Sequence, residues 1–167
     1  LKQTKMERYA GGVLCARMQL HITKGLYDAA LEDISVAEGK LKELVSSEGP
    51  DIGMCWLQRS KALYAKAEES GAAENFELQR QLLAEALSEA NRALELLHRI
   101  CGDMSRRLGE AYLQKARILL LKGALPAAEP AASEAVHRGK SGSELAHAHE
   151  VHAQALDRIG RDGDART

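Results

Sequence analysis

Apolar residues return every three or four positions along most of this chain, the spacing of amphipathic α-helices. The pattern predicts a first helix over about 4–23, broken at Gly25. A second runs from about Tyr27 to Val45, with Ala30, Leu31, Ile34, Ala37 and Leu41 on one face. The stretch Ser46–Asp51 is rich in turn formers and reads as a loop. A third helix follows Asp51, with its turn expected at Ser70–Gly71, and a fourth covers about Phe76 to Ile100. Gly102 closes it, and Asp103 is a candidate N-cap for a fifth helix over about 104–122. A sixth is expected over about 127–138, starting late or kinked because of Pro130, which removes a backbone donor. Ser141 and Glu144 have capping-box spacing ahead of a seventh, about 143–159, and the polar tail from Gly160 is expected to fray.

Helices joined by short turns make αα-hairpins, and the second helix of each hairpin repeats a four-point pattern. It reads Tyr27, Ala30, Ile34, Ala37, then Leu83, Ala86, Ala90, Ala93, then Leu125, Ala128, Ala132, Ala135. Small side chains at spacings of three and four leave a groove along one face, into which a partner helix packs closely. Trp56, Tyr112 and Leu14 are placed to fill that groove from the first helices. Glycine stands two residues before the first and third patterns, at Gly25 and Gly123, and Gly160 and Ala165 match the start of a fourth.

Composition agrees with an all-α fold. Alanine and leucine dominate, aromatics are 4%, and only three prolines interrupt 167 residues. Formal net charge is −1 with both signs interspersed, so the basic stripe that nucleic acid requires is missing. The longest aliphatic run, Ile118–Leu121, is far short of the roughly 20 residues of a membrane span. Cys15, Cys55 and Cys101 are an odd number, widely spaced and without a CxxC pair, which points to buried thiols in a reducing compartment, cytoplasmic with the nucleus as the other choice. The chain opens on Leu1 and is expected to be a piece of a longer protein.

The segments Gly25-Leu-Tyr27-Asp-Ala-Ala30 and Gly123-Ala-Leu125-Pro-Ala-Ala128 resemble the tetratricopeptide repeat. That likeness implies a right-handed superhelix of stacked antiparallel hairpins forming one domain. Its repeats would lie at about 4–46, 52–101 and 104–138, with a last helix at 143–160. The alanine patterns stand 56 and 42 residues apart, against about 34 for the common repeat, and so look more like the kinesin-light-chain type. The 14 residues by which these spacings differ equal about four helical turns. Divided between both helices of hairpin two, they predict a tip projecting near 68–74.

In that family the first helices of successive hairpins line a concave wall, which places Gln19, then Leu57, Gln58, Lys61 and Tyr64, then Leu113, Gln114, Arg117 and Leu121, then Glu150, Gln154 and Arg158 at the surface. The resemblance implies a scaffold that binds a peptide segment or helix of a partner protein and is not an enzyme. Gln side chains suit a peptide backbone, while Lys61 and Arg117 favour acidic residues on the partner. The positions matching the carboxylate clamp of co-chaperone members are Cys15, Gln19, Gln58, Leu113 and Arg117, so most of that clamp is missing. The alternative reading is self-association, because an unpaired last helix leaves an apolar face open, and a homo-oligomer is its product. No cofactor or metal is expected. The His147-Ala-His149-Glu150-Val-His152 cluster fails the HExxH rule, since residue 153 is alanine. No P-loop, GxGxxG or GxSxG is present.

Overall fold

A computed structural model describes residues 17–44, 49–102, 106–139 and 142–164. Among these residues there are seven helical segments and no strand. α1 covers 17–23 and α2 Tyr27–Leu44. α3 is Pro50–Ala72, α4 Phe76–Cys101 and α5 Arg106–Leu121. α6 is Leu125–Arg138 and α7 Ser143–Asp164. Each helix from α2 onward packs on the next, so the chain is a row of antiparallel hairpins. Expectations that rest on Leu14, Cys15, Asp103, Ser141 and Ala165 lie outside the described residues.

The alanine lines are the contact lines. Eleven of the twelve pattern residues are buried, and Tyr27 is half-buried. Their packing divides into layers. Ala30, Ile34 and Ala37 meet Met18, Cys55 and Ala62. Ala86 and Ala90 meet Leu63, Ala67 and Ile118, while Ala93 meets Leu57, Leu97, Leu108 and Ala111. Ala128 and Ala132 meet Ala116, Leu119, Val151 and Ala155. Trp56 and Tyr112 pack at the edge of the third of these groups, half-buried. Small residues also let polar groups cross the core. With only a methyl at Ala86, the Ser60 hydroxyl reaches that residue's carbonyl at 2.7 Å, and Gln114 Nε2 donates to Ser60 O at 3.3 Å. One buried chain of hydrogen bonds thus joins α3, α4 and α5.

Three inter-helix turns share one hydrogen-bonding scheme. Leu26 N donates to His21 O, Asn75 N to Ser70 O and Ala124 N to Leu119 O, each with a second bond from the preceding residue. This closure needs a left-handed residue after the helix. That residue is Gly25 (φ 72°) in the first turn and Gly123 (φ 73°) in the third, but Glu74 (φ 59°) in the second. The turn residues are 49 apart in both intervals. The turns therefore repeat evenly, whereas the alanine contacts in α4 sit seven residues farther into the helix than in α2 and α6. Seven residues are close to two helical turns, or roughly 10 Å, so the buried face is preserved. Among the described residues α3 has 23 residues against 16 for α5, and α4 has 26 against 18 for α2. The end of hairpin two is exposed from Ala72 to Glu77, a few residues beyond the 68–74 at which a projecting tip was expected, and Ser70 is buried.

Several boundaries differ from the sequence expectation. The turn falls at 73–75, not Ser70–Gly71. Gly71 is helical, and the Gln79 side chain lies where its Cβ would stand. α3 begins at Pro50, whose missing N–H costs nothing at a first helical position. α6 begins at Leu125 and runs through Pro130. The carbonyl that Pro130 leaves without a donor is that of Pro126, and both prolines are on the exposed side. α7 continues through Gly160 to Asp164, so Gly160 opens no fourth turn.

Candidate functional site

The two layers of helices are not equally close. Along one, α3 contacts α5 and α5 contacts α7; in the other, α2, α4 and α6 stand farther from one another among the described residues. The closer layer is the inner side of a curved row. There α3, α5 and α7 enclose a cleft of about 420 Å³. Tyr64 and Glu68 contribute from α3, Arg117, Leu120 and Leu121 from α5, and His147, Glu150, Val151, Gln154 and Arg158 from α7.

Its polar groups are held by specific bonds. The Tyr64 hydroxyl donates to Glu68 Oε1 at 2.8 Å. Burial and then the Glu68 carboxylate push this phenol up to about 12, so it remains a donor at neutral pH. The Arg117 guanidinium lies over the Tyr64 ring, 5.0 Å from its centre, while its side chain remains exposed. Arg158 Nη1 donates to Leu120 O at 3.0 Å, one of the last carbonyls of α5. Gln154 Nε2 reaches Glu150 Oε1 at 3.4 Å. Leu121 supplies an exposed apolar rim. Two guanidiniums with further donors, beside an apolar strip, can receive a chain that carries both apolar and acidic groups.

The structure brings Tyr64, Arg117, Leu121, Gln154 and Arg158 together at this cleft, with Glu150 beside them. Other sequence candidates lie elsewhere. Leu57 is fully buried among Ala93, Leu97, Leu108 and Ala111. Gln114 is 2% exposed and turned inward to Ser60. Both share a helical face with cleft residues, but at a level where neighbouring helices close over that face, α4 and α5 over Leu57 and α3 over Gln114. Leu113 is half-buried against the α5–α6–α7 core. Lys61 is ion-paired with Glu110. Gln58 is half-exposed and Gln19 exposed on α1, and neither lines the cleft. Glu68, Leu120, His147 and Val151 were missed, although the spacing 147, 150, 154, 158 already marks one stripe of α7.

Among the described residues no group of three His, Cys, Asp or Glu side chains is arranged to hold a metal ion. His152 Nε2 lies 3.0 Å from Glu129 Oε1, which ties α7 to α6. Cys55 is buried and Cys101 half-buried. No helix among the described residues is long and apolar enough to cross a membrane. No family model matches the chain, and no curated protein matches it either.

Proposed function

We propose that this protein is a non-catalytic scaffold of the tetratricopeptide kind, acting in a reducing compartment. It holds a segment of a partner protein in the cleft along α3, α5 and α7. The observation that carries this reading is the convergence of five wall candidates from three successive first helices, Tyr64, Arg117, Leu121, Gln154 and Arg158, on one opening. The apolar strip accommodates the body of a peptide, and Arg117 and Arg158 meet its acidic side chains. Charge reversal at Arg117 and Arg158 tests it, with binding to an array of acidic peptides measured by calorimetry. Loss of the peptides that bind the parent chain supports the cleft. Unchanged affinity after both reversals removes it. Lys61 is the poorer choice for this test because its ammonium already meets Glu110.

Self-association remains the second reading, because α7 exposes Leu156 by 50% and Ile159 by 37%. Light scattering on the parent chain and on Leu156→Ser separates the two. A concentration-dependent dimer abolished by the substitution favours assembly through α7, and a monomer at all concentrations rejects it.

A further inference from the structure

The tip of hairpin two is a part of the fold that helix packing does not account for. The alanine contacts of α4 sit seven residues farther in than those of α2 and α6, and the end left over, Ala72 to Glu77, is exposed throughout. Phe76, the one phenylalanine of the chain, stands there 62% exposed, more than any other large hydrophobic side chain among the described residues. Glu74 and Glu77 flank it. Glu77 has a loose partner, Arg80 at 3.4 Å with both side chains in water, and Glu74 has no ion pair among the described residues. Where the other two turns have Gly25 and Gly123, this one holds Glu74 in left-handed backbone, and so carries a carboxylate at the expense of strain. An aromatic ring between two carboxylates is complementary to an apolar surface edged with cations.

The chain itself carries such a surface in the α3–α5–α7 cleft, where Arg117 and Arg158 stand beside the exposed Leu121. The carboxylates of the cleft do not occupy these cations. Glu68 accepts from the Tyr64 hydroxyl and Glu150 from the Gln154 amide, and no ion pair joins either to Arg117 or Arg158 among the described residues. Arg158 gives Nη1 to Leu120 O, which leaves the other donors of its fork. Cleft and tip are neighbours on one hairpin: Glu68 lines the cleft, and α3 ends at Ala72, roughly 6 Å farther along the axis. A rigid hairpin does not fold its tip back into the cleft beside it. A two-fold axis midway between the two sets each tip against the other copy's cleft, so that both contacts form together.

We propose that the cleft is filled by the hairpin-two tip of a second copy of this chain, in a reciprocal dimer. Phe76 lies against Leu121, while Glu74 and Glu77 meet Arg117 and Arg158. The inference rests on the reading of the cleft as a site for an acidic, apolar segment, and it names that segment. It is distinct from assembly through α7, which uses Leu156.

Sedimentation equilibrium on the full chain tests it by a charge swap. Arg117→Glu with Arg158→Glu sets carboxylates against the acidic tip, and Glu74→Arg with Glu77→Arg sets cations against the basic cleft. Each double variant is expected to dimerise more weakly by at least about tenfold, since charge-assisted bonds are lost at both contacts. An equimolar mixture of the two restores opposite charges at both contacts and is expected to dimerise as the parent does, which misfolded variants could not do. Phe76→Ser should weaken the dimer as well, and Leu156→Ser should leave it intact. Circular dichroism checks that each variant folds. Variants that do not recover on mixing, or a dimer unaffected by Phe76→Ser, overturn the proposal. A monomeric parent whose binding of acidic peptides still depends on Arg117 and Arg158 also overturns it, and leaves the cleft reading standing. A dimer lost with Leu156→Ser but not with Phe76→Ser overturns it in favour of α7.

Discussion

The three matched turns yield a prediction with opposite signs at equivalent positions. Gly25, Glu74 and Gly123 share left-handed backbone and the same hydrogen-bonding role. A Cβ added at Gly25 or Gly123 would meet nothing within 4 Å, so an alanine there feels only the backbone penalty. Left-handed conformation costs an L-residue about 1–2 kcal/mol. Restricting the unfolded chain returns about 0.4–1 kcal/mol. Gly123→Ala should therefore destabilise by roughly 1 kcal/mol, and Glu74→Gly should stabilise by about 0.5–1 kcal/mol, since the strain is already present at Glu74. In a chain of this size 1 kcal/mol moves the melting temperature by about 2–4 °C. Urea denaturation of both variants measures the midpoints, and unchanged slopes show that the same surface unfolds. Destabilisation by Glu74→Gly, or a neutral Gly123→Ala, would refute the shared-turn argument. Gly53→Ala is the contrasting control: its Cβ would stand 3.1 Å from the Leu97 side chain, so its cost comes from packing.

Three further outcomes follow from the same packing. Burial alone would raise the Glu38 carboxyl, but hydrogen bonds from Lys42, Trp56 and Arg59 outweigh it and hold the group at about 2, below its ordinary 4.5. The folded state therefore binds this proton less readily than the unfolded chain. The resulting stabilisation, up to roughly 3 kcal/mol, is complete above pH 4.5 and is lost as pH falls toward 2. Glu38→Gln should flatten that part of an acid-denaturation series, and an unaltered profile would count against the network. Ala90→Leu forces a large side chain into the contact line and should cost about 1–3 kcal/mol or more by chemical denaturation; a neutral result would mean that α4 does not pack there as described. Gln114→Ala removes the bond to Ser60 O and leaves a cavity, with an expected loss of about 1–3 kcal/mol, whereas the exposed Gln81→Ala should stay within about 0.5 kcal/mol.

The helices, their buried faces and most of their ends were legible because they depend on neighbours along the chain. A 3.6-residue period selects the face, and glycines at 25 and 123 mark two turns. The second turn was misread at Ser70–Gly71 because the residue that takes the left-handed position is Glu74, a type that carries no turn signal. With that turn hidden, only the alanine spacing was available, and its 56 and 42 concealed an even interval of 49.

Sequence periodicity alone determined an all-helical chain of hairpins whose alanine stripes face inward, since period and side-chain size are properties of each helix. It also assigned Leu57, Lys61 and Tyr64 to one stripe of α3, and Gln114, Arg117 and Leu121 to one stripe of α5. Which part of each stripe meets solvent was decided only by the tertiary structure. Leu108 and Ala111 close over Leu57, Ser60 draws Gln114 inward, and farther along the helices the wall opens at Tyr64 and Arg117. Periodicity fixes an angle around a helix, but exposure also depends on height along it, and that height is set by how deeply the neighbouring hairpins pack.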